Sequence, residues 1–104
     1  MKFVCFEYMR FERYMELTRE ERTELEEASV AYDKRLHTDG VLADAVLLAT
    51  EKLFVPSEGQ GGEDLVGYLV VEADGPEEAR KIAEGIPMLK YGRVEIRGVQ
   101  ASYS

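Results

Sequence analysis

The sequence predicts an α+β fold built on one four-stranded antiparallel sheet. Three observations lead there. Strand-like and helix-like stretches alternate in the order β-α-β-β-α-β. The first and third strands are apolar on both faces, so they belong inside the sheet. The fourth strand alternates Val94 and Ile96 with Arg93, Glu95 and Arg97, which suits an edge.

The first strand runs from Lys2 to Tyr8, with Phe3 and Cys5 on one face and Val4, Phe6 and Tyr8 on the other. "MRFERYMEL" is mixed and reads as a loop or a short turn of helix. "LTREER" then opens a helix. Thr18 is a good N-cap, and Glu21 three residues on completes a capping box. The apolar stripe is Leu25, Ala28, Tyr32 and Leu36, and Gly40 is a credible residue for ending the helix, which is expected from about Arg19 to Thr38. Val41 to Val55 reads as the second strand, stopped by Pro56. "PSEGQGGED" is a loop. Leu65 to Ala73 is the third strand, with Leu65, Gly67, Leu69 and Val71 on one face and Val66, Tyr68 and Val70 on the other. "DGPEEARKIAEG" is a second helix with Pro76 at its first position and Gly85 at its end. Tyr91 to Val99 is the fourth strand, and the last five residues are expected to fray.

This order is the split βαβ, or ferredoxin-like, arrangement. Its two helices can cover only one face of the sheet. The other face is apolar and needs a partner, and a second copy of the chain in a two-fold dimer is the simplest one.

Length and charge bound the function. A chain of 104 residues is expected to form one domain. Its net charge of −8 argues against nucleic acid and against an anionic membrane surface. The N-terminus lacks a signal-like apolar stretch, and the one cysteine allows no internal disulfide, so a cytoplasmic protein is expected.

From Leu65 to Val99, "LVGYLVVEADGPEEARKIAEGIPMLKYGRVEIRGV", the chain resembles the C-terminal half of the YCII-related proteins, in particular their DGPF branch. Glu72, Pro87, Tyr91-Gly92 and the strand Val94-Glu95-Ile96-Arg97 carry the resemblance, and "MKFVCFEY" and "LTREER" also fit. It implies a ferredoxin-like fold closing as a dimeric α+β barrel. It also implies relatives that include small dehalogenating or isomerising enzymes of aromatic-ring metabolites. Two departures stand out. The family's functional histidine lies on the first helix, three positions before an aromatic. With Tyr32 as that aromatic, its place is taken by Ser29. The DGPF loop is replaced by "SEGQGGED", with "DGP" displaced to Asp74–Pro76; Asp44 loosely matches the family's acidic partner.

Ser29 is the residue of greatest interest, since a polar group stands on a face that should be apolar. As a nucleophile it needs a base. His37 is eight residues on, about 12 Å along a helix and out of reach. Ser29 is thus a serine bonded back to its own helix or a pocket-lining group. His37 suits the helix C-terminus, and with Asp39 it lacks the ligands for a metal site. Cys5 reads as a small core residue. Arg93, Glu95 and Arg97 form a charge ladder or, more sharply, a carboxylate site. The glutamates between Glu20 and Glu27 are a solvated helix face, and "GQGG" lacks the Lys-Ser or Lys-Thr of a phosphate loop.

The expected function is small-molecule binding by a homodimer, with small aromatic or acidic metabolites as ligands and no metal or cofactor. Tyr8, Ser29, Tyr32, Asp44, Tyr68, Met88 and Tyr91 are the pocket candidates. An isomerase or lyase using Tyr32, Asp44 or Tyr91 for proton transfer is the first alternative. A regulatory protein-interaction module is the second. A cavity beside Ser29 with two or more ionisable groups favours the enzyme, one without them favours plain binding, and a filled core favours the module.

Overall fold

The computed structural model describes residues 1–55 and 64–102. The elements are β1 (Lys2–Met9), α1 (Phe11–Glu16), α2 (Arg19–Thr38), β2 (Leu42–Leu47), β3 (Asp64–Glu72), α3 (Pro76–Glu84), a 3₁₀ turn (Pro87–Lys90) and β4 (Arg93–Gly98). The sheet order is β2-β3-β1-β4 with every pairing antiparallel. This is the ferredoxin-like arrangement. The strands that are apolar on both faces are central, and the charged one is an edge. Among the described residues, no helix is long and apolar enough to cross a membrane.

Local chemistry sets the helix boundaries. The Thr18 hydroxyl accepts from the Glu21 backbone N–H, and the Glu21 carboxylate accepts from the Thr18 N–H. The bond from the Thr18 backbone, followed by that from its side chain, holds the Glu21 carboxyl below its ordinary range. At the other end Gly40 adopts φ +77°, the left-handed region that favours glycine. Its N–H donates to His37, and that of Val41 donates to Leu36. These two bonds form a Schellman motif, and Val41 packs on the core that contains Leu36.

One face of the sheet holds the core. Register pairs Phe3 with Val71 and Cys5 with Leu69, and these residues pack with Leu36, Ala79, Ala83, Ile86 and Met88. Cys5 is fully buried, and its burial, followed by the charge of Glu7, pushes the thiol up to about 11. It is a core residue.

Of the two readings of the stretch after β1 the helical one holds, over Phe11–Glu16. Three expectations change. Ala28 is exposed, so the inward side of α2 is Leu25, Ser29, Tyr32 and Leu36. Pro87–Lys90, unassigned in the sequence, closes a 3₁₀ turn, and β4 starts only at Arg93. Most importantly, β2 stops at Leu47 and not at Pro56. Leu48 still donates to the Val66 carbonyl, but β3 is bulged at this point and the chain leaves it. Apolar composition cannot hold a strand without a ladder partner, and Leu53 and Val55 are each 98% exposed. The expected loop at Pro56–Glu63 and the last two of the expected frayed residues lie outside the described residues.

Tyr32 fastens α2 to the end of α3. Its hydroxyl donates to the Ile82 carbonyl at 2.5 Å, and burial raises its pKa. Gly85 lies bare against the same ring, so a Cβ there would overlap the Tyr32 hydroxyl and ring carbons. Tyr32→Phe is expected to cost about 0.5–1.5 kcal/mol in chemical denaturation. Gly85→Ala is expected to cost more in the wild type than in a Tyr32→Ala background. Equal costs in the two backgrounds would refute the contact.

Candidate functional site

A cavity of about 1000 Å³ lies between α2, α1, the β1–β3–β2 part of the sheet and the segment that leaves β2. It follows from how α2 sits. Leu36 is the one buried residue of that helix, and Tyr32 is tied to Ile82 a turn earlier. The N-terminal half is held to α1 by Arg22, whose guanidinium donates to the Met15 carbonyl at 3.3 Å and stacks on Tyr14 at 4.9 Å, and it touches the core through Leu25. Between these two attachments Ser29 and Leu25 line the cavity.

Of the sequence candidates, the structure brings Ser29, Tyr32 and Met88 together in the cavity wall. Ser29 is half-buried there, and among the described residues the back-bond to a helix carbonyl is made by Thr23 and not by Ser29. The other four are elsewhere. Tyr8, Tyr68 and Asp44 stand on the opposite face, as their register with Arg93, Val46 and Val70 requires. There Tyr68 meets Phe6 at 6.3 Å between ring centres, and the Tyr8 hydroxyl donates to Glu95 at 3.3 Å. Arg93 covers the Tyr8 ring at 4.4 Å, so the Arg93–Glu95–Arg97 ladder is partly spent on tyrosine packing. Tyr91 packs on the core beneath Arg13, outside the cavity wall. His37 is exposed at the end of α2.

Two cavity residues escaped the sequence reading. Glu7 follows Cys5 by two positions, so alternation puts it on the covered face of a central strand. Its register partner is Gly67, and the Glu7 carboxylate comes within 3.5 Å of where a Cβ at that position would sit. A glutamate in a buried register opposite a glycine was the available signal. Burial, followed by the charge of Asp33, raises the Glu7 carboxyl to about 7. Asp33, one turn after Ser29, is also raised by burial. The bulge between Glu7 and Tyr8 matters too, since it turns Val66 to the cavity side and away from the face of Tyr68 and Val70.

The remaining polar wall comes from Glu12, Glu26 and the Lys52–Asp64 ion pair. Apolar surface from Met9, Phe11, Leu69, Ile86 and Phe54 makes up much of the rest. A mostly apolar space with a few converging polar groups suits a small ring-shaped ligand with oxygen substituents. Among the described residues no cluster of three or more metal-ligating side chains occurs.

Comparison with known proteins places the chain. No curated protein matches it. Among solved structures it is similar to the 5-chloro-2-hydroxyhydroquinone dehydrochlorinase TftG from Burkholderia phenoliruptrix AC1100, determined in complex with 2,5-dihydroxybenzoquinone. The TM-score is 0.62 at 16% identity, over 98% of this chain and 96% of the other, a likeness of fold. The family model of the YCII-related domain matches residues 1–101, and the chain belongs to that family.

Proposed function

We propose that the chain binds a small hydroxylated aromatic or quinone-like ring in the cavity under α2. The observation that carries this reading is the cavity itself, about 1000 Å³ with Ser29, Tyr32, Glu7 and Asp33 set in apolar walls. The complex of TftG with 2,5-dihydroxybenzoquinone adds support, since a protein of this fold holds such a ring. Ser29, at the position of the family's histidine, offers a hydrogen bond in place of an imidazole. The ionisable groups in the wall favour a site that acts on its ligand over one that only holds it.

The uncovered sheet face supports the second part of the proposal, a homodimer. Val4, Phe6, Tyr8, Val46, Tyr68 and Val70 are each only half-buried there, in a continuous central band. Charges of both signs rim the band, Asp44 on one side and Arg93, Glu95 and Arg97 on the other. A two-fold copy can therefore meet opposite charge on each side.

A thermal-shift titration with 2,5-dihydroxybenzoquinone tests the ligand. At about 100 times its dissociation constant it adds roughly 2.7 kcal/mol, and each kcal/mol raises the melting point by about 4–8 °C in a domain of this size. Ser29→Phe, which puts a bulky ring where the ligand would meet the α2 wall, is expected to reduce the shift. A shift of wild-type size in that variant would put the ligand elsewhere. Light scattering at micromolar concentration is expected to report twice the 11.8 kDa chain mass, falling to one chain in Phe6→Glu. A monomeric wild type would remove the dimer.

A further inference from the structure

The cavity wall carries two carboxyls from different elements, Glu7 from β1 and Asp33 from α2. Among the described residues neither is in an ion pair. Glu7 fits because its neighbour across the ladder is Gly67, and a side chain at that position would also meet the Val46 carbonyl. The sheet thus leaves room for a carboxyl at the cavity floor where an apolar residue would fill it.

We propose that Glu7 is the group that moves a proton to and from a ring ligand seated in this cavity, with Asp33 as the charge beside it. This rests on the ring-binding reading above and names its chemistry, a tautomerisation. The Glu7 carboxyl gives its proton to a ring carbon of an enolate. The Glu7 O–H bond breaks, the enolate electron pair forms the new C–H bond, and the ring carbonyl is regenerated. The carboxylate then removes a proton from that carbon or another, and the electron pair returns to the carbonyl oxygen. Atoms and electrons balance with no oxidant, reductant or second substrate.

The surroundings suit that cycle. Burial and the Asp33 charge bring the Glu7 carboxyl to about 7, where acid and base forms coexist at neutral pH. α2 adds Asp33, Tyr32, Glu26 and Arg22 to the same wall, Asp33 being the one whose charge acts on Glu7. Glu12 comes from α1, while Lys52 and Asp64 neutralise each other. Cys5, next on the same face of β1, stays a thiol. Arg22 brings the one unneutralised positive charge among the described residues of this wall, which suits a developing enolate oxygen.

The experiment follows deuterium entering the ring C–H positions of 2,5-dihydroxybenzoquinone in D₂O by NMR. The wild-type protein is expected to accelerate exchange over free solution. Glu7→Gln is expected to keep the thermal shift and lose the acceleration by about 10²–10⁴-fold. Asp33→Asn is expected to move the pH profile of the exchange to lower pH, because a neighbouring negative charge is gone. Binding without accelerated exchange, or exchange at the wild-type rate in Glu7→Gln, overturns the proposal but leaves the binding reading standing. Absence of binding overturns both.

A ligand-free measurement stands beside it. The native Glu7 carboxyl keeps its proton to about 7, whereas the unfolded chain releases it near 4.5. Between those values the unfolded state binds fewer protons, so this residue lowers stability as pH rises. The melting point of Glu7→Gln is therefore expected to gain on the wild type from pH 4.5 to 7 and to hold its gain above. A constant difference across that window would contradict the placement of Glu7.

Discussion

The hydrogen bond from the Tyr32 hydroxyl to the Ile82 carbonyl sets how the molecule is arranged, because it fixes one end of a long helix and not the other. Near that bond α2 is packed: Leu36 is buried, Gly85 lies against the tyrosine ring, and the Schellman motif at Gly40 turns the chain straight into β2. Toward its N-terminus α2 is held to the short α1 through Arg22 and Tyr14, with the half-buried Leu25 as its apolar contact to the core. A helix held at Tyr32 and Leu36 and again at Arg22, with a serine between, leaves a space beneath its middle. That space is the cavity, and Ser29 is at its roof because it lies on the inward side of α2 between the two attachments.

The floor of the cavity is set by what a central strand can tolerate. A carboxyl taken out of water is costly when charged, and holding its proton reduces that cost. Glu7 is in that position, opposite a glycine and near a second carboxyl. The β-bulge beside it gives the sheet the curvature that turns Val66 into the same wall. Where β2 leaves the ladder, Leu48, Ala49, Thr50 and Phe54 continue that wall beyond the sheet. The interruption of the second strand and the opening of the site are thus one structural event.

Much of the fold was legible in the sequence because its signals are local or periodic. The capping box at Thr18 and Glu21, the glycine stop at Gly40 and the proline start at Pro76 each act within a few residues. The two strands that are apolar on both faces are the central pair, and the strand with a charged face is an edge, where charged side chains are tolerated. The extent of β2 was not legible, since a strand's length depends on its partner and the bulge in β3 is a long-range event. Ala28 is helically spaced with Leu25 yet exposed, because α2 presents Ser29 and Tyr32 inward where the stripe predicted Ala28. The candidate site was half legible. Ser29, Tyr32 and Met88 meet in the cavity, whereas Tyr8, Tyr68 and Asp44 lie on the other face of the sheet. Aromatic residues mark apolar surface of any kind and do not distinguish a pocket from an interface. Glu7, the more telling residue, is a single charge in an otherwise apolar register.

The most direct measurement of the central claim is a map of amide chemical shifts as 2,5-dihydroxybenzoquinone is added to the ¹⁵N-labelled protein. Binding under α2 predicts that the largest changes fall at Glu7, Leu25, Ser29, Asp33 and Val66, around the cavity wall. Changes centred on Val4, Val70 and Glu95, on the uncovered face of the sheet, would contradict it.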